Sequence, residues 1–168
     1  MPIIIKNTQD IEFMRISCKL AAEVLDYIEP YVQPGITTLE LDKLCHDYIV
    51  DVQQAYPSPL NYKPSSKGPA FPNSICTSIN SEICHGIPNE KALKDGDIIN
   101  LDITVYKNGY HGDTSRTFLV GNKVSPQAKR LVQITYEAMW LGIQQVKPGN
   151  YLGDIGHAIQ THAEKHAY

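Results

Sequence analysis

From Thr8 to Val32 the apolar residues Ile11, Met14, Cys18, Ala21, Leu25 and Ile28 fall at intervals of three and four. That spacing predicts one long helix with a single buried face. Pro34-Gly35 is expected to end it. Thr37, three residues before Glu40, opens a second helix as a capping box that leads into Leu41, Leu44, Tyr48 and Ile49. Between residues 56 and 73 the chain is rich in Pro and Ser ("YPSPLNYKPSSKGPAFPN"), which predicts a surface loop. The period then changes to two: "SICTSIN" and "DIINLDITVY" read as strands joined by the loop "CHGIPNEKALKDGD", and "YHGDTSRTFLVG" completes a hairpin. The last third returns to helix, with Ser125 as cap and Pro126 in the first turn, followed by a further helix in "LGDIGHAIQTHAEKHAY". The order helix, V-x-P-G, helix occurs twice, around Val32 to Gly35 and Val146 to Gly149. It predicts a duplicated module within one incomplete domain, the first copy at about 1–122 and the start of the second at about 123–168.

The hairpin carries the chemistry. A two-residue Asn108-Gly109 turn places Lys107 opposite Tyr110, Thr104 opposite Asp113, and Asp102 opposite Ser115. Asp102 and Asp113 then lie on one face as a diagonal pair, with backbones roughly 7 to 8 Å apart. Asn100, Thr104, His111, Ser115 and Thr117 share that face, while Ile99, Leu101, Ile103, Val105, Phe118 and Val120 form the other. One reading is that both aspartates are simply solvated. Asp is disfavoured within strands, however, and two on one face repel unless a cation lies between them, which points to a divalent metal. Two carboxylates do not complete such a site, since divalent metals take four to six ligands. His85, beside Gly86 in "ICHGIPNE", is placed to hold an imidazole over the polar face, although a loop histidine is by itself unremarkable. His162 and His166 share a helix face but lack the H-E-x-x-H order, and they read as helix-end residues.

Composition excludes several classes. The 168 residues carry a net charge of -3 and no Lys/Arg run, so no nucleic-acid-binding motif is present and an anionic surface is not a favoured partner. No apolar run approaches the roughly 20 residues that span a bilayer, and the apolar run in "MPIIIKNTQD" is too short for a signal peptide, so a cytoplasmic protein is expected. Cys18, Cys45, Cys76 and Cys84 show no C-x-x-C spacing and are expected to be free thiols, with Cys76 and Cys84 more plausibly small hydrophobes than nucleophiles.

Three stretches, "ICTSINSEICHGIP", "LKDGDIINLDITV" and "GYHGDTSRTFLVG", together with "KLAAEVLDYIEPYVQPGITTLELD" and "VKPGNYLGDIGHAIQ", closely resemble the type I methionine aminopeptidases. The resemblance covers essentially the whole chain. It implies the α+β pita-bread fold, an antiparallel sheet covered by helices, here truncated within its second pseudo-repeat. It also implies a dinuclear metallo-exopeptidase that removes the initiator methionine from nascent polypeptide N-termini, acting as a monomer in its full-length form. By position, Asp102 would chelate one of two divalent ions (Co, Mn, Fe or Zn) and Asp113 would bridge both. His85 would contact the substrate amide or stabilise the developing tetrahedral intermediate, and Tyr62, Phe71 and Cys76 would line the methionine side-chain pocket. The eight residues "KPSSKGPA" between Tyr62 and Phe71 exceed the link usual in the family. The family's remaining ligands, one His and two Glu, fall beyond Tyr168, so the chain reads as the N-terminal portion of such an enzyme and is expected to be inactive alone. Two alternatives share the fold: a catalytically inactive binding protein, which would be expected to lose an Asp, and an X-Pro peptidase, against which the small and aromatic residues around Cys76 weigh.

Overall fold

The structure is a computed structural model and describes residues 3–63 and 68–168. Its contacts divide into two compact units, Met1–Lys123 and Val124–Tyr168.

In the first unit, helix α1 (Thr8–Ile28) begins at Asn7, whose side chain accepts from the Asp10 amide while the Asp10 carboxylate accepts from the Asn7 amide, closing a capping box. The helix stops at Ile28, earlier than Pro34-Gly35 suggested. Pro30 has no N–H to continue the ladder, and Glu29–Tyr31 tighten into a 3₁₀ turn. Helix α2 (Thr38–Asp47) starts with the expected box, Thr37 and Glu40 capping each other. It then widens into a π turn at Tyr48–Val52, where Tyr48 stacks on Tyr27 at 4.2 Å between ring centres. The segment expected to be loop throughout contains a short strand β1 (Tyr56–Pro57) paired with the far end of β3; Pro57 is tolerated because β1 pairs on one side only. Residues 64–67 of the inserted stretch lie outside the described residues. Strands β2 (Cys76–Ile79), β3 (Ile98–Lys107) and β4 (Tyr110–Leu119) complete an antiparallel sheet in which β3 is central.

The hairpin register is the one the sequence predicted: Lys107 opposite Tyr110, Thr104 opposite Asp113, Asp102 opposite Ser115. Asn108 and Gly109 both take positive φ, 53° and 89°, as the two-residue turn requires. The fully buried Ser17 of α1 donates to the carbonyls of Lys107 and Tyr110 at 3.2 and 3.0 Å, tying the turn down. Ile99, Leu101, Ile103 and Val105 are fully buried and pack with Ala21, Val24, Leu25 and Ile28 of α1 and Leu41 and Cys45 of α2. The apolar face of the sheet is therefore spent on the helices, and the polar face is left for a cleft.

The second unit is a helical hairpin. Ser125 caps α3 (Pro126–Ile143) by accepting from the Ala128 amide at 3.1 Å, and α4 (Leu152–Lys165) opens with the Asp154 carboxylate accepting from the Tyr151 amide at 2.7 Å. His162 on α4 bonds Glu137 on α3 at 3.0 Å, joining the two helices, and His166 bonds the His162 carbonyl at the end of α4. Among the described residues no helix is long and apolar enough to cross a membrane.

Candidate metal centre

The polar face of β3 and β4 floors a cleft of about 750 Å³ within the first unit. Asp102, Asp113, His85, Cys76, Tyr62 and Phe71, the six positions singled out in the sequence, all line it. They arrive by different routes. Asp102 and Asp113 come from the hairpin register, and Cys76, first residue of β2, pairs with Asp102 on its other side. A row therefore crosses three strands: Cys76, Asp102 and, diagonally, Asp113.

His85 is carried by the loop after β2. Its backbone is left-handed, φ 54°, a conformation uncommon outside glycine. The following residue explains how it is held. The Thr77 amide donates to the Gly86 carbonyl at 2.8 Å and the Gly86 amide donates to Ser78 Oγ at 3.2 Å. A Cβ on Gly86 would lie 2.0 Å from the Thr77 carbonyl oxygen, so only glycine lets the loop press so closely on β2.

Tyr62 and Phe71 flank the long insertion yet pair directly: the Phe71 amide donates to the Tyr62 carbonyl and the Asn61 amide to the Phe71 carbonyl, each at 2.9 Å. Both residues line the cleft. Ser58, Ile87 and His111 also line the cleft, with Ser58 Oγ and His111 Nδ1 2.8 Å apart. Sequence reading did not find Ser58 or Ile87, whose positions follow from β1 pairing with β3 and from the loop path after Gly86.

The electrostatics favour a cation. Burial pushes the Asp102 carboxyl above its usual range, the neighbouring Asp113 charge and a shared hydrogen bond push it further, and His85 alone opposes. The pair resists double ionisation unless positive charge lies between them, which is the demand a divalent ion meets. Cys76 is held as a thiol: burial, then the charge of Asp102, raise it to about 11. Among the described residues no third His, Cys, Asp or Glu joins the two carboxylates in a grouping able to hold a metal by itself. The residues present thus fit part of a hard-cation site, which needs further oxygen or nitrogen donors beside the two carboxylates.

Known proteins resemble this chain along nearly all of its length. The model of metallopeptidase family M24 matches residues 12–168. A methionine aminopeptidase of Rickettsia prowazekii is 54% identical over 168 residues, covering 100% of this chain and 62% of that protein. The crystal structure of methionine aminopeptidase from Rickettsia prowazekii superposes with a TM-score of 0.93 at 53% identity, over 99% of this chain and 64% of that one. The methionine aminopeptidase of Thermotoga maritima gives 0.89 at 32% identity, over 98% and 63%. The chain therefore spans somewhat over three fifths of the length of these relatives.

Proposed function

The chain belongs to metallopeptidase family M24, and from that premise we propose that the protein serves as a methionine aminopeptidase, taking the initiator methionine from nascent polypeptides in the cytosol. The observation that carries the proposal is the meeting of two carboxylates, an imidazole and a sulfur-and-aromatic wall in one cleft. Asp102 and Asp113 hold the cations, two in number as the family resemblance implies. Divalent metal bound there supplies Lewis acidity towards the scissile carbonyl and acidifies water. His85, locked by Gly86 against β2, donates a hydrogen bond to the substrate amide or to the oxygen on which charge grows, a contact commonly worth about 3 kcal/mol of barrier. Cys76, kept neutral by its surroundings, and the Tyr62 and Phe71 rings receive the unbranched thioether side chain, which such surfaces accommodate well. That wall favours methionine as the N-terminal residue.

A Mn or Co titration of the 168-residue chain tests the metal centre. Weak binding is expected, lost on Asp102→Asn or Asp113→Asn, because two carboxylates are a partial ligand set. Turnover of Met-Ala peptides above background is not expected from the chain alone. Joined to the remainder of a longer relative, the chain is expected to release methionine. A folded, metal-loaded chimera that fails to do so would overturn the proposal, and tight binding of two ions by the chain alone would overturn the partial-site reading.

A further inference from the structure

One buried acid has no part in the chemistry above. Asp42 on α2 is only 8% exposed, an unusual place for a carboxylate. It is held by three N–H donors: Oδ1 accepts from the Ser74 and Ile75 amides at 2.8 and 3.0 Å, and Oδ2 accepts from Asn73 Nδ2 at 2.8 Å. One turn further along the same helix, His46 Nδ1 lies 2.7 Å from Ser74 Oγ. Helix α2 therefore grips residues 73–75 just before β2 begins at Cys76, where the two backbone amides have no strand partner of their own.

What hangs from that grip is the cleft wall. Cys76 follows it directly. Phe71 precedes it by one proline, and Tyr62 is bonded to Phe71 through the amide pair already described. All three pocket side chains are thus fixed, in series, to one carboxylate outside the cleft. We propose that Asp42 is the positioning residue of the methionine pocket, setting from α2 the placement of Cys76, Phe71 and Tyr62. The inference rests on the proposed function for the identity of the pocket's occupant, though not for the grip itself.

The cysteines provide the test, because their surroundings differ so sharply. Cys84 is exposed, Cys76 lines the cleft, and Cys45 is fully buried in the core three residues from Asp42 on the same helix. Iodoacetamide labelling followed by peptide mapping should rank the wild-type thiols Cys84, Cys76, Cys45 from fast to slow. In Asp42→Ala, labelling of Cys76 should accelerate about tenfold or more, the equivalent of one lost charge-assisted hydrogen bond, while Cys45 stays protected. Asp42→Asn keeps one oxygen for the Ser74 and Ile75 amides and should show a smaller rise. Methionine amide should slow Cys76 labelling in the wild type, and the concentration that halves the rate should increase in Asp42→Ala. An unchanged Cys76 rate in both variants would overturn the inference. So would Cys45 opening in step with Cys76 in both, since the carboxylate would then be holding the core and not the wall. If methionine amide gives no protection even in the wild type, the pocket assignment falls, and the order of labelling rates among the variants decides the grip separately.

Discussion

Gly86→Ala tests how His85 is presented. An alanine Cβ there starts 2.0 Å from the Thr77 carbonyl oxygen and 2.8 Å from its carbon, where ordinary contact begins at 3.4 Å. The obstacle is backbone in a buried strand, so the loop must yield, by 1.4 Å if the separation is to reach 3.4 Å. A shift of that size breaks the 2.8 Å bond from the Thr77 amide and strains the bond to Ser78 Oγ. Thr77 is 2% exposed, so its freed amide stays away from water. The lost bond and the unsatisfied donor together cost about 2 to 3 kcal/mol. For a chain of this length that corresponds to a fall in Tm of about 5 to 10 °C. Local opening should become about 30- to 150-fold more frequent, read as faster amide exchange at Thr77. His85 moves with the loop, and a displacement of about 1 Å in a catalytic group typically costs about a hundredfold in rate, measurable in the completed chimera. An alanine variant with wild-type Tm and a still-protected Thr77 amide would show that the close approach does not hold His85.

Gly156→Ala should act in the opposite direction: nothing lies within 4 Å of the added methyl on α4, so helix propensity should raise stability by about 0.5 to 1 kcal/mol, checked by urea unfolding, and a loss would refute the open placement. Asp95 is pulled below the usual carboxylate range chiefly by the Lys123 amide, with the Asn122 amide assisting. Its folded pKa lies below the unfolded one, so its contribution is present above about pH 4 and disappears as pH falls through the folded value. Asp95→Asn should therefore flatten the acid limb of a stability–pH profile, and an unchanged limb would count against the assignment.

The hairpin was legible because its information is local. An Asn-Gly pair fixes the turn, the turn fixes the register, and strict alternation then decides which side each aspartate takes. The capping boxes at Thr37 and the Ser125 cap were readable for the same reason. The end of α1 was misplaced because the stronger Pro34-Gly35 signal masked Pro30. β1 was missed because a two-residue strand containing proline exists only through its pairing with β3. The left-handed backbone at His85 and the burial of Asp42 depend on contacts made 8 to 33 residues away. No local pattern announces them. Asp42 in "LELDKLCHDYI" looks like any polar helix residue until the chain returns from Phe71.

The turn that sets the register is also a chemical clock. Asn108 is exposed and precedes a glycine, the arrangement in which the following amide nitrogen most readily attacks the asparagine side-chain carbonyl and expels ammonia, the cyclic imide then being opened by water to isoaspartate. That product threads an extra methylene through the main chain at the one corner where two residues must reverse the strand. Ser17 grips the carbonyls on either side, so the longer link has little room to bulge outwards. Strain would pass down β3 and β4 to Asp102 and Asp113. Aged protein should accordingly lose cation affinity in proportion to isoaspartate mapped at position 108, a form of wear that leaves both carboxylates chemically intact.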